Sequence, residues 1–138
     1  MLITLAVVLL SSQAPAFAAE PRAVLVQKRV CLSCHRVEAD AGHSLGPNLW
    51  GLAQRNIGSA EGFEYSDAFK IALGQWNEKS LDTFLANPMQ TYPGTFMAFP
   101  GIDKAEVRAG IIDWLGTLND PPADWSASHK NGDRAKED

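Results

Sequence analysis

The sequence predicts an all-α fold with long loops around one internal group, and three observations predict it. No strand-rich stretch and no internal repeat occurs along the 138 residues. Several segments instead place apolar residues at i, i+3 and i+4, the helical period, between Gly, Pro and Asn breakers. The third is the pentapeptide Cys31-Leu32-Ser33-Cys34-His35, which holds the chain's only two cysteines.

Residues 1–18 read as a secretory signal. Leu2 to Leu10 is an apolar core and Ala16-Phe17-Ala18 a small-x-small cleavage site. No Lys or Arg stands near Met1, so either the basic n-region is absent or the start lies upstream. The apolar run is too short to span a bilayer. A periplasmic protein without a stable membrane anchor is therefore expected. Residues 19–120 form the domain, and 121–138 a polar tail that is mobile or loosely draped, Trp125 aside. The net charge of −4 argues against a nucleic-acid partner.

The first helix should run from about Pro21 to Cys34, with Pro in its first turn and Val24, Leu25, Val26 and Val30 as apolar residues. Glu38 to Asn48 is loop, punctuated by Gly42 and Gly46-Pro47. The apolar run Leu49-Trp50-Gly51-Leu52 follows, then loop again over Arg55 to Glu64. Ser66 is a candidate N-cap for a helix to about Leu73, with Phe69 and Leu73 inward and Gly74 ending it. Asn77 caps the next, with Leu81, Phe84 and Leu85 on one face and a stop near Asn87 before Pro88. Pro88 to Ile102 carries no charge, and its three prolines and two glycines deny it helix or strand. Such a loop is unfavourable in water unless it covers something apolar. Asp103, with Glu106 three residues on, resembles a capping box for a last helix. Its apolar stripe is Val107, Ile111, Trp114, Leu115 and Leu118, and Pro121-Pro122 follow its end.

The chemistry sits in Cys31 to His35. C-x-x-C-H is the signature of covalent c-type haem attachment. Two thiols three residues apart lie on one side of a helical turn and can add to the two vinyl groups. The adjacent imidazole can then bind iron. The alternatives are a redox dithiol, half of a zinc site, or a disulfide. They lack, in turn, a surrounding strand–helix–strand pattern, a second cysteine pair, and a loop long enough to constrain much chain entropy. An iron with His on one face can stay open or take a sixth ligand. The domain offers Met89 and Met97. Met97, in the middle of the uncharged loop, can be core filler or ligand.

These motifs, in this order, resemble class I cytochrome c, the branch of mitochondrial cytochrome c and its periplasmic bacterial relatives. Gly46-Pro47-Asn48-Leu49 matches the family loop after the haem motif. Asn87-Pro88 through Tyr92-Pro93-Gly94-Thr95-Phe96-Met97-Ala98-Phe99 matches a second, with one spacing difference before Pro93. The resemblance spans about Val24 to Leu118 and implies one covalent haem c with its iron held by His35 and Met97. It implies that the Pro47 carbonyl orients His35, and that Arg55, Tyr65, Trp76 and Thr95 bond or screen the haem propionates. Without it, Arg55 reads as a surface arginine and the two aromatics as core. His43 would tie two loops together. Phe84 stands where many members carry Tyr.

The function implied is a monohaem electron carrier and not an enzyme, with no catalytic residue. It would be a monomer meeting redox proteins transiently. Its donor would be a periplasmic dehydrogenase or a membrane quinol-oxidising complex, its acceptor an oxidase or reductase. Mitochondrial members ring the haem edge with lysines. Here Met89, Gln90 and Phe96 replace them, leaving Lys28, Arg29 and Arg36 as a small basic rim. Docking should be mainly apolar and weakly salt-dependent. The alternatives are a haem subunit bound permanently to one oxidoreductase, or a haem enzyme or gas sensor with an open iron.

Overall fold

The structure, a computed structural model, describes residues 19–125. The signal segment 1–18 and tail residues 126–138 lie outside the described residues. Five helices occur in the order α1 Arg22–Leu32, α2 Asp67–Lys70, α3 Glu78–Ala86, α4 Pro88–Thr91 and α5 Ala105–Thr117. Among the described residues there is no strand, only an isolated bridge pairing Asn56 with Gln75.

Helix α5 is the hub. It packs against both α1 and α3. Val107, Ile111 and Leu115 are buried as the stripe requires, and so is Leu118 just beyond the helix. Ile112 is buried as well, while Trp114 turns partly outward, beneath the Lys28 ammonium at 5.5 Å. The crossing with α1 is close. A Cβ on Gly110 would sit 2.7 Å from a methyl of Val24, so this position has no room for a side chain. Of the apolar residues on α1 only Val24 is buried; Leu25, Val26 and Val30 are each about half exposed.

Four local expectations change. Helix α2 ends at Lys70, not Leu73, and Ile71 and Leu73 are 79% and 91% exposed. The cause is tertiary. The backbone of 74–76 pairs with 54–57, through Gln54 N–H to the Trp76 carbonyl, Ile57 N–H to Gly74 and Trp76 N–H to Arg55. That pairing buries Trp76 and pulls the chain off the helical path. The uncharged stretch does hold a turn of helix, α4. Pro88 is its first residue, a position where proline costs nothing, and the Asn87 side chain accepts the Gln90 N–H. Helix α5 starts one residue later than expected. Lys104 is its N-cap, without a side-chain bond. Arg108 instead takes the carbonyls of Ile102 and Asp103, which draws Asp103 out of the capping position. Finally, the chain beyond α5 folds back on it. The Ala123 N–H donates to the Gly116 carbonyl at 2.8 Å, and Trp125 packs so closely that a Cβ on Gly116 would lie 2.3 Å from its Nε1.

Asn77 does cap α3 as expected. It accepts from Ser80 N–H and Ser80 Oγ accepts in return, a reciprocal box. Leu81, Phe84 and Leu85 are buried below it.

Candidate functional site: a haem cavity

A cavity of about 530 Å³ runs through the core. Cys31, Cys34, His35, Pro47, Arg55, Tyr65, Trp76, Thr95 and Met97, drawn from six separate stretches of chain, all line it. Met89, the other methionine of the domain, does not, and is half exposed.

The thiol wall is built by the end of α1. Beyond Leu32 the chain keeps helix-like turns, with the Cys34 and His35 N–H groups both donating to the Cys31 carbonyl. Cys31 and Cys34 are free thiols, each partly buried on the cavity wall. Burial, with a smaller contribution from the neighbouring Cys34, pushes the Cys31 thiol up to about 11.

His35 is fixed from behind. Its Nδ1 donates to the Pro47 carbonyl at 2.7 Å. Burial holds its pKa below the ordinary value against that hydrogen bond, and the nearby Arg55 charge lowers it further. The ring is therefore neutral near pH 7, with its proton on Nδ1 and a free Nε2 lone pair. Gly46 makes this possible. A Cβ there would lie 2.3 Å from His35 Cε1, so any side chain would displace the imidazole.

The loop carrying Gly46 and Pro47 is held by His43 and Asn48. The Asn48 N–H donates to His43 Nδ1 at 3.0 Å, so His43 Nε2 carries the proton and donates to the Glu61 carbonyl at 2.8 Å. Both nitrogens of His43 are thus spent on joining two loops. Asn48 is buried, with its amide on the Glu38 and Ala41 carbonyls and its oxygen accepting Trp50 N–H.

Two polar atoms at this cavity lack partners. Arg55 gives Nη1 to the carbonyls of Asn48 and Trp50, but its Nε is buried with no acceptor. Burial lowers the Arg55 pKa, opposed by Tyr65. Ser66 Oγ is the second. Ser66 has the extended backbone of an N-cap, yet its side chain makes no cap bond and lines the cavity instead. Its place directly after Tyr65 was the only sequence signal, and the capping preference of serine masked it. The Tyr65 hydroxyl accepts the Ala60 N–H at 3.2 Å.

The remaining wall is aromatic and extended chain. Phe69 sits against Tyr65, Trp76, Phe84 and Tyr92, with ring centroids 4.7 to 6.3 Å away. From Thr95 to Phe99 burial alternates along the chain. Thr95, Met97 and Phe99 turn inward, and Phe96 and Ala98 turn out. Thr95 Oγ1 accepts the Met97 N–H at 3.2 Å.

The donor set fits a haem. Two thiols and a neutral imidazole share one wall, a thioether comes from another segment, and the rest is aliphatic and aromatic. The unpaired Arg55 Nε and Ser66 Oγ are donors suited to an anionic edge. Among the described residues no group of three His, Cys, Asp or Glu is placed to hold a bare metal ion.

The comparisons agree. The chain is 44% identical to cytochrome c of Nigella damascena over 88 residues, 64% of this chain and 79% of that one. It is 46% identical to cytochrome c of Gibberella zeae over 88 residues, covering 83% of that protein. The chain belongs to the class I c-type cytochromes. No protein-family model matches it. Among solved structures it resembles cytochrome cH from Methylobacterium extorquens, with a TM-score of 0.63 and 34% identity over 69% of this chain and 95% of that one. This cytochrome carries a covalent haem c with its iron, and Cys31 and Cys34 are present for the attachment. It is an electron carrier serving redox partners in transient encounters, and not an enzyme.

Proposed function

We propose that this cytochrome is an exported, periplasmic one-electron carrier whose haem iron is held between His35 Nε2 and the Met97 sulfur. One observation carries the reading. Met97 is the methionine of the domain that lines the cavity, and that cavity also holds a His35 whose other nitrogen is committed to Pro47. When bound, haem c supplies the ferric/ferrous couple that stores the electron.

The chain's own residues do the rest. Cys31 and Cys34 tether the macrocycle as thioethers. The Pro47 carbonyl holds the imidazole in one orientation and one tautomer. Arg55, Tyr65, Ser66, Trp76 and Thr95 would hold the propionates, which would give Arg55 Nε and Ser66 Oγ the acceptors they lack. The aromatic wall around Phe69 keeps water out. The reading of an exported protein rests on the signal-like residues 1–18. Among the described residues, no helix is long and apolar enough to cross a membrane.

Electrons would arrive from a dehydrogenase or quinol-oxidising complex and leave to an oxidase or reductase. Three cavity-lining residues, Leu45, Phe96 and Val30, are 81%, 73% and 45% exposed, so the cavity rim itself is apolar. Partners would dock there with little salt dependence.

The test is the ferric spectrum. Wild-type protein should be low-spin with the weak long-wavelength band of iron–thioether ligation, and Met97→Ala should lose it. High-spin wild-type protein that readily binds carbon monoxide would refute the reading.

A further inference from the structure

The segment that brings Met97 to the cavity makes few bonds to the rest of the fold along its length. From Thr95 to Phe99 its hydrogen bonds are local: Thr95 N–H to Tyr92, Met97 N–H to Thr95 Oγ1, and Phe99 N–H to the Met97 carbonyl. Both ends, in contrast, are fastened to α3. At the start, Pro88 is buried and the Thr91 hydroxyl is shared between the Asn87 carbonyl at 2.8 Å and the Thr83 carbonyl at 3.2 Å. At the finish, the Ile102 N–H donates to the Leu85 carbonyl at 2.8 Å. Gly101 lies so close to α3 that a Cβ would fall 2.2 Å from the Ala86 carbonyl oxygen.

The Ile102 carbonyl is held as well, by a side chain from α5. Arg108 Nη1 donates to the Ile102 carbonyl at 2.8 Å and to that of Asp103 at 3.0 Å. Its Nε donates to Asp82 Oδ1 on α3 at 2.6 Å. The Arg108 side chain is only 12% exposed, so its charge needs this partner. One guanidinium therefore closes a triangle of α3, α5 and the end of the Met97 segment. A planar fork with fixed donors suits that task, and a lysine would not span it.

We propose that Asp82 and Arg108 are positioning residues that clamp the far end of the Met97 segment and so set how readily an outside ligand displaces Met97. The proposal rests on the reading of Met97 as iron ligand. Local opening of such a segment is a partial unfolding, and its free energy is set by the bonds at its ends. Weakening the clamp raises the open population, and an outside ligand binds only when the segment is open.

The experiment titrates ferric holoprotein with imidazole. Asp82→Asn keeps shape but removes the charge, and should tighten imidazole binding roughly threefold to tenfold. Arg108→Lys should act in the same direction. Asp82→Glu should bind imidazole within about twofold of wild type. Lys70→Ala breaks an ion pair remote from this segment, Lys70 to Glu64 at 2.7 Å, and should leave the affinity unchanged. A merely structural role would lower the melting temperature without moving imidazole affinity, and that result in Asp82→Asn and Arg108→Lys would overturn the proposal. Met97→Ala is titrated alongside. If it binds imidazole no tighter than wild type, the ligand reading fails, and the clamp fails with it. If it binds much tighter while both clamp variants match wild type, the clamp alone fails.

Discussion

Gly46→Ala should be one of the most damaging single-methyl changes in this protein. The added Cβ would lie 2.3 Å from His35 Cε1, 2.6 Å from Nδ1 and 2.8 Å from Nε2. Such contacts essentially never fall below 3.0 Å, so the ring or the loop must retreat by at least 0.7 Å, the difference from 2.3 Å. The ring has little freedom, because Nδ1 is held at 2.7 Å to Pro47. Overpacking of this kind costs about 1–3 kcal/mol. Losing the hydrogen bond adds about 1 kcal/mol. Together roughly 2–4 kcal/mol are lost, which in a domain this small lowers the melting temperature by roughly 10–25 °C. The assay is thermal unfolding of holoprotein followed by circular dichroism and haem absorbance. Two glycines separate steric from conformational causes. Gly94 has φ +87° and open space around it, so Gly94→Ala should cost about 1 kcal/mol from backbone strain alone. Gly42 has neither close neighbours nor positive φ, so Gly42→Ala should be near neutral. If Gly46→Ala melts with Gly42→Ala, the packing of His35 on Gly46 is wrong.

Two further predictions concern charge. Arg55→Gln removes a half-buried cation from the cavity wall, which favours the more positive ferric state, so the reduction potential should fall by tens of millivolts, against about 59 mV for a tenfold change in a one-electron equilibrium; a redox titration giving an unchanged or higher potential refutes it. The Lys70–Glu64 pair lies at the surface, and the hydrogen bond and charge of Lys70 hold the Glu64 carboxyl below its ordinary 4.5 while Glu64 holds Lys70 above 10.5. Its small, salt-sensitive stabilisation is present between those values, is lost as pH falls through the lowered carboxyl value and as it rises through the raised lysine value, and should separate wild type from Lys70→Ala in melts near pH 7 but not near pH 2.

The haem motif was legible because its five contiguous residues declare their own chemistry, whereas the place of the Gly46–Leu49 loop and the Thr95–Phe99 segment on the cavity wall was legible only through the family resemblance, since a methionine in an uncharged loop is equally core filler. The cap at Asn77 was legible for the same reason as the haem motif, since donor and acceptor lie three residues apart. What escaped depends on partners distant in sequence. Leu73 looked inward by period, but pairing of 74–76 with 54–57 overrode the helix. Asp103 looked like a cap until Arg108, anchored on Asp82, 26 residues before it, took the carbonyls there. Ser66 served the capping rule in its backbone while its hydroxyl turned to the cavity. Trp125 looked like an outlier in a polar tail because nothing local shows that Gly116 leaves a seat for it.

The alternation from Thr95 to Phe99 puts the haem interior and its exposed rim in one short segment. Residues at 95, 97 and 99 belong to the interior, and a substitution at any of them alters the haem environment. Those at 96 and 98 are exposed and sit on the cavity rim, only one peptide away. A lineage that exchanged Phe96 for a lysine would change the face a redox partner meets and, because Phe96 also lines the cavity, the rim of the haem site with it. The same five residues thus tie the surface that partners touch to the interior that holds the iron.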